Sequence, residues 1–321
     1  GISSLSYNAD DFSLSINRGP VYWGYSPKNS PILSGMVHSL PYFKWNTQIN
    51  HLRYEYIHAA LSPRGLVRGD SSRQSRFLAG HRVEFDITPK FEFSFNEFIV
   101  YANRYFELGY LNPVNFYFSE EHLLGDMDNK LMAVDFKWGN GQGFEAYGTW
   151  FFDELNFFEL FSSWWGNKFV FQGALSYYPE SNMPSVTFEF TAARPWTYSH
   201  IRSSNSFTSA NAILGFPYGP NTQTYMLYSF WQPIPKLTAK SSYTYIVSGS
   251  GSGSDIFSSY ADREAVYSEY TDDAPFLIGD ISYRDEFRFL TSYEVTSAIK
   301  GHLELINDDK FRLTAGIGFY W

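Results

Sequence analysis

The last twelve residues of the chain, 310–321, alternate between apolar and polar side chains without a break. The apolar positions are Phe311, Leu313, Ala315, Ile317, Phe319 and Trp321. Because successive side chains of a strand point to opposite faces, this stretch predicts a strand with one wholly apolar face. In a soluble sheet such a regular edge would invite aggregation, whereas a closed membrane barrel requires apolar side chains toward lipid and polar ones toward the lumen. The pattern therefore favours a transmembrane β-barrel over a soluble β-sandwich.

The composition also fits a protein whose surface faces lipid. Aromatic residues make up 20% of the 321 residues, and charged residues only 18%, against about 25% charged in typical soluble proteins. No apolar run approaches the roughly 18 residues that a membrane helix needs. The formal net charge of −9 argues against nucleic acid as a partner, since a phosphate backbone attracts a basic surface. The absence of cysteine excludes disulfides and thiolate metal sites.

Alternation and turn residues divide the chain into fourteen predicted strands. They cover residues 12–16, 42–47, 52–59, 77–87, 91–101, 130–138, 144–153, 168–178, 186–196, 224–231, 237–247, 281–295, 299–305 and 310–321. Segments 104–129 and 248–280 leave room for further strand pairs, and the chain begins in the middle of an alternating pattern. We therefore predict one barrel domain over residues 1–321, with about 16–18 strands in the whole wall and some native sequence missing before Gly1. The Gly-Ser stretch 248–254 fits either a native loop tip or an engineered replacement.

The connections sort by length onto two sides of the predicted sheet. Short turns fall near residues 49, 89, 141, 179, 233 and 296. The tight turn at Asn307 shares the other side with long segments near residues 30, 70, 115, 160, 210 and 265. Outer-membrane barrels have short periplasmic turns opposite long external loops. The sequence therefore predicts an all-β, antiparallel transmembrane barrel of the bacterial outer membrane, in contact with outer-membrane lipid and lipopolysaccharide.

Four segments, in matching order and spacing, resemble the Wzi family of capsule-assembly outer-membrane proteins. They are Arg-Gly-Pro-Val-Tyr-Trp-Gly at 18–24 with Ser-Pro-Ile-Leu-Ser at 30–34, Asn-Pro-Val-Asn-Phe-Tyr at 112–117, Asp-Asn-Lys-Leu-Met-Ala-Val-Asp at 128–135, and Tyr-Gly-Thr-Trp-Phe-Phe-Asp-Glu at 147–154. Together they extend across a little under half of the chain. The resemblance implies a barrel of about eighteen strands that acts as a lectin and holds capsular polysaccharide on the cell surface. It also implies a small helical periplasmic domain before the barrel, for which the chain has no counterpart.

The polar faces of the predicted strands carry charges of both signs, which are expected to line the lumen. They are Arg82, Glu84, Asp86, Asp135, Lys137, Arg284, Glu286, Arg288, Lys300 and Glu304. One interpretation is a pore lining that selects solutes or binds sugar. The other is a network of salt bridges that keeps the barrel round and closes it. We favour the second, because a mixed lining gives no clear ion preference.

Aromatic residues in the long connections are candidates for a sugar site. Aromatic rings stack on the C–H faces of sugars while neighbouring polar groups bind the hydroxyls, although Trp and Tyr at strand ends also form interfacial girdles. We predict that Trp164 and Trp165 bind polysaccharide, together with Tyr110 and Tyr117. The segments 104–129 and 154–167 would then supply the contacts. A short helix is expected within 104–129, over residues 119–124, with Ser119 as its cap.

Two polar residues fall on the predicted lipid face, His81 and Asp285. A lysine or arginine there would cost roughly 2–4 kcal/mol at the membrane midplane, an acidic residue less, and almost nothing near the interface. Either these residues lie near a rim of the barrel or the strand phase is wrong locally.

The sequence carries little that points to catalysis. Its seven histidines are scattered, and neither Gly-x-Ser-x-Gly nor His-Glu-x-x-His occurs. We expect no enzyme activity, no cofactor and no bound metal. Phe319 and Trp321 would form a carboxy-terminal signal for the barrel-assembly machinery. The predicted function is retention of capsular or other surface polysaccharide; the alternatives are a diffusion channel for small solutes and a scaffold in an envelope complex.

Overall fold

The computed structural model describes residues 1–63, 75–154, 158, 162–180, 182–257, 273–297, 299–308 and 310–319. Within these ranges fifteen strands form one antiparallel sheet, in which each strand pairs with the next one of the sheet along the chain. The strands are β1 (Ser3–Asn8), β2 (Phe12–Gly19), β5 (Leu40–Ile49), β6 (Leu52–Leu61), β7 (Arg76–Thr88), β8 (Phe91–Ala102), β9 (Asn129–Gly139), β10 (Phe144–Glu154), β11 (Lys168–Tyr177), β12 (Ser185–Ala193), β15 (Thr222–Ile234), β16 (Leu237–Gly249), β17 (Ile281–Thr296), β18 (Ile299–Asn307) and β19 (Phe311–Phe319).

The connections contain a few short elements. They are the ribbon of β3 (Tyr22–Trp23) and β4 (Leu33–Ser34), helices α1 (Leu108–Leu111) and α2 (Tyr117–Leu123), a 3-10 turn at Ser203–Asn205, and the ribbon of β13 (Thr208–Ser209) and β14 (Ala212–Ile213). Among the described helices, none has the length and apolar character needed to cross a membrane.

All fourteen predicted strands are present, and β1 is a fifteenth that the prediction had not included. The described residues thus supply fewer strands than the predicted total of about 16–18. Within them, the two edge strands β1 and β19 are not paired with each other. Segment 104–129 holds two helices in place of a strand pair. Beyond the end of β16, the described parts of 248–280 contribute one isolated bridge, between Trp164 and Asp273. The predicted sorting of short and long connections is confirmed.

The predicted helix exists, but its start differs from the prediction. Helix α2 spans Tyr117–Leu123, and Phe116 occupies its N-cap position. Ser119 lies inside the first turn, where its hydroxyl donates a hydrogen bond of 2.9 Å to the carbonyl of Phe116. The helix starts earlier because Tyr117 packs against the sheet and the N–H groups of Tyr117 and Phe118 donate to Glu97, contacts that a local capping pattern does not reveal.

The sheet curls so that one face encloses part of its own chain. Side chains of residues 20–39 bond to strands far apart in the sheet: Trp23 to Glu55 on β6, Tyr25 to Glu92 on β8, Asn29 to Glu189 on β12, and Lys28 to Ser242 on β16. A single segment reaches all four strands only if the sheet wraps around it. We call this enclosed face the inner face. On the opposite, outer face Phe311, Leu313 and Ile317 are 60–67% exposed, as the predicted alternation requires.

Two long connections that were predicted as external loops fold inward. We call residues 20–39 and 196–221 the plug. The Tyr198 hydroxyl joins its two parts, donating to the carbonyl of Pro31 at 2.7 Å and accepting from the N–H of Phe216 at 3.0 Å. A Cβ at Gly215 would lie 2.4 Å from the Pro31 carbonyl oxygen, so only glycine permits this approach.

The plug forms a hydrophobic core with the inner face near the long-connection end of the sheet. Its buried members include Trp23, Ile32, Leu33, Phe207, Leu214 and Phe216 from the plug, and Ile57, Leu78, Phe98, Leu131, Phe151 and Val170 from the wall. The predicted polar lumen is therefore wrong for the long-connection half of strands β5–β12, where the plug packs. Alternation alone cannot separate an apolar face toward lipid from one toward a plug, because both exclude water.

A third connection lies against the outer face. Residues 103–128, which we call the strap, cover Tyr56, His58, Ala79, Ile99 and Tyr101. These wall residues alternate with Ile57, Leu78 and Phe98, which face the plug, and so they point outward. The strap was predicted as an external loop and is instead packed onto strands β6–β8.

Candidate functional site

The predicted tryptophan pair lies at the long-connection end of the sheet, just before β11. Trp164 and Trp165 are both half-buried, and their ring centroids are 6.3 Å apart with the planes at 55°. The ammonium of Lys168 lies 5.3 Å from the centroid of the Trp165 ring and forms an ion pair of 2.9 Å with Glu154. Each ring thus keeps part of its surface open to a ligand while its neighbours limit its movement.

Arg194, the residue after β12, holds the backbone that carries the two tryptophans. Its guanidinium donates hydrogen bonds to the carbonyls of Ser162 at 3.1 Å, Ser163 at 3.0 Å, Trp164 at 3.1 Å and Ala274 at 2.7 Å. The planar guanidinium keeps its charge in proteins, and its donors are fixed in direction. Burial lowers the pKa of Arg194, and the nearby carboxylate of Asp273 opposes that shift. We call residues 162–165 the tryptophan ledge.

The ledge combines aromatic rings with a charged group. Two aromatic rings at an angle present apolar faces, and the adjacent carboxylate of Glu154, 44% exposed, offers a polar group whose position is held by the buried Lys168. Pockets for small ligands commonly combine aromatic walls with a few fixed polar groups. The rings are also placed where interfacial aromatic residues of barrels occur, at a strand end.

Three of the predicted lumen residues form one network on the inner face. Arg82 donates to both carboxylate oxygens of Asp135, at 3.1 and 2.9 Å, to Glu84 at 2.8 Å, and to the amide oxygen of Asn96 at 3.0 Å. The guanidinium of Arg53 extends the network to Asp86 at 2.8 Å. These charges satisfy one another, which agrees with the favoured interpretation of a salt-bridged lumen.

One cavity of about 530 Å³ opens beside this network, near the short turns. Its lining includes Asp10 and Asp11 from the first short turn, Tyr25 from the plug, and Glu55 and Arg82 from the wall. Burial, together with Glu84 and Asp135, raises the pKa of the Tyr25 hydroxyl, so this hydroxyl remains a neutral donor and acceptor at ordinary pH.

Another cavity, of about 500 Å³, lies between the plug and strands β16–β18. It brings together Lys28 with the predicted lumen residues Arg284, Glu286 and Arg288. Glu286 accepts a hydrogen bond of 3.0 Å from Tyr218 and forms a 3.0 Å ion pair with Arg284. Burial lowers the pKa of Lys28, and the positive charge of Arg288 lowers it further.

Of the three remaining predicted lumen residues, Lys137 of β9 lies 3.6 Å from Glu145 of β10, and the other two lie on β18. Lys300 pairs with Glu294 of β17. Glu304 is half-buried. Its negative charge raises the pKa of Lys28, whereas the positive charge of Arg288 lowers it. Of the predicted residues, Arg82 and Glu84 thus line one cavity, and Arg284, Glu286 and Arg288 line the other.

In the described part of the chain, side chains of the kinds that bind cations approach one another at two places. Ligand atoms of Glu84, Asp86 and Glu92 lie within 4.8 Å of one another, but the Arg53 guanidinium is already bonded to all three carboxylates. Glu121, His122 and Asp126 form a similar group on the strap, where Glu121 pairs with Lys130 at 3.1 Å.

The structure does not support Tyr110 and Tyr117 as sugar contacts. Both side chains are 0% exposed, because they pack between the strap and the outer face of the sheet. The Tyr110 hydroxyl donates to Asp128 at 2.8 Å. Neither ring offers a face to a ligand, so this part of the prediction is wrong: the strap turns these two tyrosines toward the wall.

The predicted assembly signal falls at the limit of the described residues. Phe319 is the last residue of β19, where it pairs with Ile299. Its side chain and the whole of Trp321 lie outside what the structure describes. The signal remains a prediction.

Comparison with solved structures identifies the architecture. Wzi, an outer-membrane protein involved in group 1 capsule assembly in Escherichia coli and described as a carbohydrate-binding β-barrel, is similar at a TM-score of 0.67 and 12% identity, over 98% of this chain and 68% of Wzi. The fold is that of an outer-membrane β-barrel. The predicted fold class and location in the bacterial outer membrane are both confirmed.

Two Pseudomonas aeruginosa proteins share the fold less closely. OpdL matches at a TM-score of 0.53 and 10% identity, over 98% of this chain and 78% of OpdL. OccK10 matches at 0.51 and 9% identity, over 99% of this chain and 82% of OccK10. No protein-family model matches the chain. No curated protein matches it either. At these identities the comparisons establish the barrel fold, and the resemblance to the Wzi family is supported in fold alone.

Sequence analysis missed the plug and Arg194. Arg194 precedes a proline at the end of a predicted strand, and nothing local distinguishes it from other strand-end arginines. The plug had a signal: residues 20–39 and 196–221 contain Trp23, Ile32, Phe207 and Phe216, more large apolar side chains than a solvated loop needs.

Proposed function

We propose that this chain is a non-enzymatic outer-membrane barrel that binds surface polysaccharide at the tryptophan ledge. The observation that carries the proposal is the plug, whose apolar core fills the inner face near the long-connection end. A core of this kind has no place for a continuous column of water. Function is then expected at the outer rim, where the ledge presents two half-buried rings.

The similarity to Wzi also supports polysaccharide binding as the function. Wzi matches this chain at a higher TM-score than OpdL and OccK10 do, and it is described as a carbohydrate-binding barrel. Four sequence segments of this chain resemble the Wzi family independently of the fold. Capsular polysaccharide is accordingly the class of ligand that we propose, with the barrel as its anchor in the membrane.

The proposal is tested by replacing the ledge tryptophans. Trp164→Ala and Trp165→Ala, alone and together, should weaken binding of purified bacterial surface polysaccharides to the folded barrel by about tenfold or more, since stacked aromatic anchors dominate such contacts. Trp231→Ala is the matched control, because Trp231 is 40% exposed near a short turn on the opposite side of the sheet. Unchanged binding in the double variant would remove the ledge as the site.

A diffusion channel is the second candidate function. Its support is the fold shared with the Occ and Opd porins, together with the charged cavities on either side of plug residues 22–36. Current through single barrels in a planar bilayer separates the two functions: a plugged lectin should conduct little, and a channel steadily. Contacts with lipopolysaccharide and the barrel-assembly machinery, and the role of an envelope scaffold, remain predictions for co-purification to test.

A further inference from the structure

The strap has an inverted surface. Among its charged residues, Arg104, Glu107, Glu120, Glu121 and Asp128 are buried or half-buried. The exposed side chains are mostly apolar: Tyr105, Phe106, Leu108, Leu111, Val114, Phe116, Phe118, Leu123, Leu124 and Met127. The exposed fraction reaches 94% at Tyr105 and 74% at Val114. A loop in water shows the opposite arrangement, with charges outside and apolar side chains beneath them.

The charges are turned inward because they have partners there. Arg104 bonds to Asp128, and Asp128 also accepts from Tyr110. Glu121 pairs with Lys130 of β9 at 3.1 Å. The exposed acid Asp126 lies three residues before β9 begins, next to the end of the sheet that carries the long connections. The strap therefore offers its apolar atoms to its surroundings and keeps most of its charge against the wall.

The wall beneath the strap is polar where a barrel normally faces lipid. Glu97 is 0% exposed, pairs with His81 at 3.1 Å, and accepts hydrogen bonds from the N–H groups of Tyr117 at 3.1 Å and Phe118 at 2.9 Å. His58 bonds to the Tyr101 hydroxyl at 2.9 Å. Without the strap, Glu97 would lose its two backbone N–H partners, and this carboxylate and these imidazoles would face hydrocarbon, which is costly.

The strap also reaches deep along the wall. The outward residues His58, Tyr56 and Tyr54 of β6 contact the ring of Phe106 (centroids 5.4 Å apart), the carbonyl of Tyr110 and the carbonyl of Pro113 in turn. Four residues of strand correspond to about 13 Å. Strand β6 has ten residues, about 33 Å, which at the usual tilt spans the apolar band of about 25 Å in an outer membrane. Pro113 lies beside the third residue of this strand, so it is within the band.

We propose that the strap is embedded in the outer membrane and that its exposed apolar side chains contact the acyl chains of the lipids. The occupant is lipid because the strap continues the lipid-facing surface of the sheet: Phe43, Phe85 and Phe136, on strands around it, are 39–42% exposed on the same face. The strap replaces a polar section of wall with an apolar surface of its own. His81 is thus neither near a rim nor out of phase; it is covered.

Because the chain contains no cysteine, single-cysteine variants can carry a nitroxide label at chosen positions. Leu108→Cys and Val114→Cys place the label on the strap. Phe171→Cys, on the bare outer wall at 47% exposure, is the control for lipid. Gln142→Cys, exposed in the turn between β9 and β10, is the control for water. The full chain is reconstituted in phospholipid vesicles, and collision with oxygen and with a water-soluble nickel chelate is measured.

We expect both strap labels to match the Phe171 label, with an oxygen-to-nickel ratio about tenfold above that at Gln142, because a polar chelate is excluded from hydrocarbon. A ratio like that at Gln142 would place the strap in water and overturn the proposal. Low collision with both reagents would mean that protein, such as a second copy of the chain, covers the strap, and would overturn it equally.

A second pair of variants avoids any effect of the label. Val114→Asp places a charge on the proposed lipid surface, whereas Gln142→Asp places one in the water-exposed turn between β9 and β10. We expect a severalfold loss of membrane-inserted, folded barrel for the first and little change for the second. Equal insertion of both variants would contradict a lipid contact at Val114.

Discussion

The guanidinium of Arg194 lies 3.1 Å from the carbonyl oxygen of Trp164, although thirty residues separate them in the chain. The same group reaches the carbonyl of Ala274, eighty residues further on, at 2.7 Å. One side chain therefore joins three connections at the rim, and the orientation of the tryptophan ledge depends on it.

Replacing Arg194 with lysine should loosen the ledge. One ammonium cannot reproduce four hydrogen bonds directed by a planar group, and hydrogen bonds from charged donors contribute about 1.5–3 kcal/mol each. We expect a lower unfolding temperature and weaker polysaccharide binding, measured by heating and by binding titration on the same preparation. Arg18→Lys, at a surface arginine whose guanidinium bonds to Ser39, should change neither. Binding unchanged in Arg194→Lys would contradict a role of this arginine in shaping the site.

Weakening the plug should make the barrel conduct. Trp23 and Leu33 are 3% and 1% exposed in the plug core, and truncation of such side chains costs about 2–5 kcal/mol each. The double variant Trp23→Ala, Leu33→Ala should produce frequent openings in planar bilayers, where the parent chain is quiet. Tyr22→Ala is the control, since Tyr22 is on the same ribbon but 61% exposed. Steady conductance of the parent chain would instead favour the channel function.

The Arg82 network should behave as a coupled unit. Arg82→Met leaves the carboxylate of Asp135, which is 1% exposed, without its main partner, and such a loss costs about 3–5 kcal/mol. Adding Asp135→Leu removes the orphaned charge, so the double variant should recover much of the lost stability. Urea unfolding in lipid of the parent chain, Arg82→Met, Asp135→Leu and the double variant gives the coupling free energy between the two side chains. Additive effects would show that the two side chains do not depend on each other.

Acidification should destabilise the plug through His200. Burial lowers the pKa of this imidazole to about 4, and its Nδ1 accepts a hydrogen bond of 3.1 Å from the N–H of Arg202, which requires an unprotonated nitrogen. An unfolded histidine takes up a proton near pH 6.5, so the opened segment binds protons that the closed plug does not. The contribution of neutral His200 to the stability of the plug is therefore complete above pH 6.5 and decreases as the pH falls toward 4.

At pH 5 the free energy of opening the plug should be about 2 kcal/mol lower than at neutral pH. Hydrogen exchange of residues 196–221, corrected for intrinsic rates, measures the opening at pH 7 and pH 5. The His200→Gln variant should lose most of this pH dependence, whereas His122→Gln, at an exposed strap position, should keep it. The same pH dependence in His200→Gln and in the parent chain would assign the effect to another group.

The strands could be predicted because their signal is local. Phe311, Leu313 and Ile317 lie at alternate positions, and a two-residue period identifies a strand whatever its neighbours do. The same local rule placed Arg82, Glu84 and Asp135 on one face of the sheet, where the structure joins them. Chain order and connection length then gave the antiparallel arrangement and the two sides of the sheet.

The sequence alone thus determined the class of fold, the strands, their faces and the sorting of the turns. Only the tertiary structure decided where the long connections go. Residues 20–39 fold into the lumen and residues 103–128 pack onto the outer wall. Trp164 lies at the rim, where Arg194 bonds to its carbonyl. The reason is physical. Alternation shows which side chains avoid water. Lipid, plug and strap all exclude water, so alternation cannot tell them apart. Which of them covers a given side chain depends on contacts between residues far apart in the chain.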